Sequence, residues 1–252
     1  MSDLKINNPW ILQPKLSHST SLNLICFPPG GCGASIFNSW SKYLPSGLAI
    51  SAVQLPGRET RFKEVAFSNM ALLISELLIS LLPYVKNVPF AVFGHSVGAL
   101  IAFEFVRQLY QNHLPSPEYL IVSGRRAPHI PLDKILHLQA DSALIEELRL
   151  IGGTSNLILD DPELMSLFLP IVRADFTINE TYQVFNEFSV NCPILAMGGY
   201  DDPLVNQDFL EQWRQYTTGE FEAVMLSGGH MTFKENPQPL LDVVVRKLVK
   251  NI

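Results

Sequence analysis

Six short apolar runs punctuate the chain: LNLICF (22–27), LAISAV (48–53), PFAVF (89–93), YLIVS (119–123), PILAMG (193–198) and FEAVML (221–226). Most are continuously apolar rather than alternating, the pattern of parallel strands covered on both faces. Between them apolar residues recur at helical spacing near 35–44, 68–85, 98–112, 206–218 and 237–250. Strand and helix therefore alternate, and the expected architecture is α/β with a mostly parallel, doubly wound sheet.

One interval breaks the alternation. From about 130 to 190 there is no good strand, but there are helical stretches in SALIEELRLI, DPELMSLFLPIVRADF and TINETYQVF. This reads as a helical insertion in one domain spanning 1–252. It leaves after one strand and returns before the next, so it is expected to cover the C-terminal ends of the strands as a lid, where such sheets bind ligands.

Composition narrows the class. In 252 residues, 47% hydrophobic and 17% charged, the chain holds enough apolar material for one substantial core. A net charge of −6 argues against a nucleic-acid partner. Cys26, Cys32 and Cys192 are odd in number and lack a C-x-x-C arrangement, so neither a disulfide framework nor a structural zinc site is expected. The first residues, MSDLKINNPWILQPKL, lack a signal-peptide pattern. MALLISELLISLLPYV (70–85) carries Glu76 and Pro83 and is too short for a bilayer span. A cytoplasmic protein with no membrane partner is expected.

The chemistry centres on GHSVG (94–98), which lies between the PFAVF run and the helical ALIAFEFVRQL. In a G-x-S-x-G elbow the serine backbone is strained where strand turns into helix, and side chains at the glycine positions would collide. Ser96 is the candidate nucleophile. A serine hydroxyl needs a base and a group to orient that base. His95 adjoins the serine, but neighbouring elbow side chains point apart; His18, His113, His129 and His137 read as solvated. His230, in the loop after the last strand, is the candidate base. Asp202, in GYDDPLV after the preceding strand, completes the order serine, acid, histidine. Asp201 is its rival, and simple turn chemistry is the alternative for both. An oxyanion needs two donors: the Val97 N–H at the helix start, and Gly30 N–H in FPPGGCG (27–33), a loop that otherwise is a flexible turn.

Beyond the elbow, the segments VQLPGRE (53–59), SGRRAP (123–128), IGGT (151–154), LPIVRADF (169–176), GGYDDPLV (198–205) and GGHM (228–231) closely resemble the type II thioesterases, the editing hydrolases of polyketide and nonribosomal peptide synthesis. The resemblance covers nearly the whole chain. It implies an α/β-hydrolase fold and hydrolysis of acyl thioesters on the phosphopantetheine arm of acyl or peptidyl carrier domains; no cofactor or metal is expected, and a monomer is the expected state although the sequence does not reveal it. It also implies that Ser96, Asp202 and His230 are catalytic and that Gly30 and Val97 form the oxyanion hole. The first loop departs from the family's usual proline, any residue, alanine, glycine, glycine: Gly30 stands for the alanine and Cys32 for a glycine. The VQLPGRE and VRADF segments have no chemical reading at this level.

Three alternatives stay open. A carboxylesterase or lipase uses the same triad on the same fold, and a medium-chain thioesterase of fatty acid synthesis shares the chemistry. The third is a carrier-binding protein without catalysis. Since carriers are usually acidic, docking calls for a local basic patch, with Arg125, Arg126, Arg149 and Arg173 as candidates. Each of these could equally be an ordinary partner of a nearby carboxylate.

Overall fold

The computed structural model describes residues 8–12, 19–184 and 188–249. His18, most of the N-terminal stretch read above, the end of TINETYQVF and residue 250 lie outside them. The described residues form a seven-stranded sheet in the order β1-β3-β2-β4-β5-β6-β7. Its strands are β1 (Ile11–Leu12), β2 (Leu22–Phe27), β3 (Leu48–Val53), β4 (Phe90–His95), β5 (Leu120–Ser123), β6 (Ile194–Gly199) and β7 (Phe221–Leu226). All neighbouring pairs are parallel except β1 with β3. The three-residue run WIL is too brief to stand out as a strand, and β1 forms by borrowing the edge of β3.

Helices α1 (Met70–Lys86), α2 (Val97–Gln111), α3 (Asp141–Ile151), α4 (Asn156–Leu159), α5 (Pro162–Thr181), α6 (Gln207–Glu211), α7 (Thr232–Glu235) and α8 (Gln238–Leu248) complete the fold. One face of the sheet buries α1, α2 and Trp213; the other buries Trp40, Phe233 and α8. Helices α3, α4 and α5 fall between β5 and β6 and enclose a small apolar cluster of their own, around Leu144, Leu148, Met165 and Val172. Among the described residues no helix is long and apolar enough to cross a membrane.

Several helical expectations need correction. The stretch 35–44 forms only two 3-10 turns, Ala34–Phe37 and Trp40–Lys42. Ser35, Asn38, Ser39 and Ser41 favour local turns, while Phe37 and Trp40 fold inward, with ring centroids 4.8 Å apart. The stretch 206–218 is α6 followed by a 3-10 segment, which turns Trp213 into the core so that its Nε1 donates to the Arg125 carbonyl at 2.8 Å. TINETYQVF is no separate helix, because α5 runs on to Thr181.

The strand order places the crevice. The chain leaves β2 towards β3 on one side and β4 towards β5 on the other, so the loops after β2 and β4 flank a topological switch point. Those two loops carry Gly30 and Ser96.

Candidate active site

Only Ser96 separates β4 from α2, and it makes the turn at φ 54°, ψ −119°. A non-glycine residue there stores roughly 1–3 kcal/mol of strain, so its surroundings must impose it. The Ser96 N–H donates to the Ser123 carbonyl at 2.8 Å, and its carbonyl accepts from Ala99 N–H at 3.0 Å. A Cβ on Gly94 would strike the Gly98 carbonyl, and one on Gly98 would strike the carbonyls of Phe27 and Pro28. The two glycines thus let strand, helix and the β2 loop touch.

Asp202 lies in the loop after β6, and its Oδ2 is 2.7 Å from His230 Nδ1, with both side chains at 2% exposure or less. Its Oδ1 accepts from Leu204 N–H at 2.8 Å. The neighbouring Asp201 is exposed. Because Nδ1 is engaged, Nε2 is the imidazole nitrogen left for proton exchange. Ser96 and His230 both line one cavity of about 210 Å³.

His95, set aside as a base in the sequence, has a structural place. It is buried with Nδ1 3.0 Å from Ser123 Oγ, and its ring lies 4.9 Å from His230 and 4.4 Å from Phe233. Burial, and then the neighbouring His230, hold its pKa well below the ordinary histidine value. It therefore stays neutral and gives His230 an uncharged platform. His137 is not a solvated histidine either, since its Nδ1 lies 2.5 Å from Glu180 Oε2. His129 Nδ1 sits 3.1 Å from the Tyr216 hydroxyl.

The first loop is fixed from two sides. A Cβ on Gly30 would lie 3.3 Å from Val97 Cγ2 and 3.6 Å from Asp175 Cβ, so Gly30 and Val97 are neighbours with Asp175 beside them. Gly31 N–H donates to Asp175 Oδ2 at 2.7 Å. Arg58 donates to both oxygens of the same carboxylate, at 2.7 and 3.0 Å. The obscure VQLPGRE and VRADF segments thus meet at the β2 loop. Asp175 stands in the mostly apolar run LPIVRADF beside a second charge, Arg173, and nothing in the sequence names its partner. Burial pushes the Cys32 thiol up to about 11, so it remains protonated and a poor nucleophile at neutral pH.

The cavity walls are mostly apolar, with Leu148, Ile151, Phe168, Val172 and Phe176 coming from the inserted helices. The basic patch expected for carrier docking is not formed by the four arginines. Arg126 pairs with Asp133 at 2.8 Å, Arg149 with Asp160 at 2.8 Å and Arg173 with Asp141 at 2.6 Å, while Arg125 is buried. Among the described residues no group of three or more His, Cys, Asp or Glu could hold a metal ion.

A serine on a strand-to-helix elbow, above a mostly parallel sheet and sharing a cavity with an aspartate-bound histidine, defines an α/β-hydrolase. The chain belongs to the thioesterase-domain family, which matches residues 22–250, and it is a hydrolase of thioesters. It is 39% identical over 242 residues to the gramicidin S biosynthesis protein GrsT of Aneurinibacillus migulanus, covering 96% of this chain and 94% of that one. The type II thioesterase BorB from the borrelidin biosynthetic cluster superposes with a TM-score of 0.85 at 34% identity, over 96% and 98% of the two chains. RedJ, a thioesterase from the prodiginine biosynthetic pathway in Streptomyces coelicolor, gives 0.84 at 34% identity over 91% and 86%. The resemblance to type II thioesterases read from the sequence holds.

Proposed function

We propose that this protein is an editing thioesterase that removes acyl groups from the phosphopantetheine arm of acyl or peptidyl carrier domains in polyketide or nonribosomal peptide synthesis. The observation that carries the mechanism is the buried Asp202–His230 pair on the cavity that holds Ser96. Ser96 Oγ attacks the thioester carbonyl while His230 Nε2 takes its proton, and Asp202 holds the imidazole tautomer and stabilises the imidazolium. The N–H groups of Gly30 and Val97 receive the developing oxyanion, with the start of α2 adding its dipole. The C–S bond then breaks and His230 returns the proton to the departing thiolate. Water, deprotonated by His230, attacks the acyl-serine and releases the carboxylic acid and Ser96.

The inserted segment α3–α5 acts as a lid in this scheme, since its apolar side chains line the cavity and exclude water around the acyl chain. The fold is read as one domain working in the cytoplasm as a monomer, and none of these steps calls for a cofactor. Intact-protein mass spectrometry of acyl-loaded carrier domains tests the reading. Loss of the acyl mass with wild type but not with Ser96→Ala is expected; loss with both, or with neither, overturns it.

A further inference from the structure

Helix α3 carries a charge where its pattern calls for an apolar residue. Leu144, Glu147, Leu148 and Ile151 share one face at helical spacing, and Leu144 and Leu148 belong to the apolar cluster of the inserted helices. Glu147 lies between them at 7% exposure and lines the Ser96 cavity. The triad chemistry does not use it. Its partner is Lys134, whose Nζ stands 2.8 Å from Glu147 Oε2 while most of that side chain is in solvent.

The pair stands in a wall. Lys134, Leu136, Glu147 and Leu150 line the catalytic cavity and also a surface groove in which Ile135 and Glu146 are exposed. The loop that brings Lys134 is fixed, because the N–H groups of Leu136 and His137 donate to the two oxygens of Glu180 on α5, each at 2.9 Å. A carboxylate among leucines is costly unless its counter-ion stays with it, so an apolar chain cannot slide past without unmaking the pair.

We propose that the Lys134–Glu147 pair is the end stop of the acyl cavity and sets the longest acyl chain the enzyme accepts. The acyl arm belongs at this end because Leu136, Leu148 and Ile151 make the cavity apolar around the pair. The polar thiol arm suits the margin at Cys32 and Phe168, where the cavity adjoins a second groove whose lining includes Asn38, Glu59 and Lys234. This deepens the thioesterase reading and rests on it.

The test is a length profile. Straight-chain acyl thioesters of N-acetylcysteamine, from butanoyl to tetradecanoyl, are compared by kcat/KM, each protein against its own shortest member. In wild type the constant should rise by up to about fourfold per buried methylene. It should then fall about tenfold at the first chain that reaches the pair, as when a methylene is forced into filled space. Lys134→Ala with Glu147→Ala opens the wall, and the fall should move about two to four carbons further out. Lys134→Ala alone, at an exposed position, should move it part of the way. Lys134→Met with Glu147→Leu refills the wall without charge, and the fall should stay at the wild-type length. Each profile is internal to one protein, so a variant that is merely less active still reports where the fall lies. A wild-type profile without a fall, an unmoved fall in the opened variants, or an equal shift in the refilled one overturns the stop. So does an opened variant that changes only the ratio of pantetheine to N-acetylcysteamine thioesters of one short acid, which would put the pair beside the thiol arm. Hydrolysis of the matched ethyl esters but of no thioester would overturn the thioesterase reading, and the same profile on the esters would still decide the stop.

Discussion

Arg58 and Asp175 lie 117 residues apart and form a bidentate ion pair at 2.7 and 3.0 Å, with each side chain 5% exposed or less. The carboxylate has a second duty, because the same Oδ2 accepts from Gly31 N–H at 2.7 Å. The pair therefore ties the β3 loop, the inserted helix and the loop that holds Gly30.

Removing one partner leaves a buried charge, so Asp175→Ala should cost about 3–5 kcal/mol of stability, read by chemical denaturation. The double variant Arg58→Met with Asp175→Leu should recover most of that stability. It should not recover activity, because Gly31 N–H still lacks its acceptor and the loop carrying Gly30, the proposed oxyanion donor, is no longer held. We expect kcat to stay at least tenfold down at little change in KM. Full recovery of kcat in the double variant would reduce the pair to a structural brace.

The strands were legible because buried parallel strands write themselves as continuous apolar runs, and the elbow because two glycines and a serine fall where strand meets helix. The Arg58–Asp175 pair was not, since pairing across 117 residues leaves no periodic trace. The stretch 35–44 misled for a different reason: its apolar spacing suits a helix, but its serines and asparagine favour turns and its aromatic side chains are pulled inward. Sequence position set Asp202, the residue before the proline, ahead of Asp201; in the fold Asp202 is buried against His230 and Asp201 is exposed.

Asp202→Asn keeps the shape of the buried site but presents an amide to His230 Nδ1, and the imidazole can then adopt the wrong tautomer. A fall in kcat on the order of 10³ to 10⁴ is expected, by analogy with serine hydrolases that use the same constellation. Asp201→Asn should stay within about twofold of wild type. Stopped-flow acylation with a chromogenic ester measures both, and equal losses in the two variants would reopen the choice of acid.

Gly124 sits at φ 60°, and a Cβ there would lie 2.5 Å from His95 Cε1 and 3.2 Å from His230 Cε1. Gly124→Ala adds left-handed backbone strain of about 1–2 kcal/mol and forces one or both imidazoles aside. Because the proposed mechanism needs His230 to meet Ser96 and Asp202 together, displacement by a fraction of an ångström should cost kcat more than the lost stability suggests. A Tm lowered by several degrees with kcat reduced at least tenfold is the expected result; a lowered Tm with unchanged kcat would show that only His95 had moved.

His95 makes stability depend on pH with a definite sign. Its folded pKa lies well below the ordinary value through burial and then through His230, whereas in the unfolded chain it titrates near 6.5. Below that pH the unfolded state takes up a proton that the folded state refuses, so stability falls as pH falls, by at most about 1.4 kcal/mol per unit for this one group. His95→Gln removes the titration while its amide can still reach Ser123 Oγ. Urea unfolding at pH 7.5 and 5.5 should show wild type losing about 1 kcal/mol more than the variant between the two conditions. Parallel losses would mean that His95 is protonated in the folded protein, and His230 would then stand on a charged neighbour rather than a neutral one.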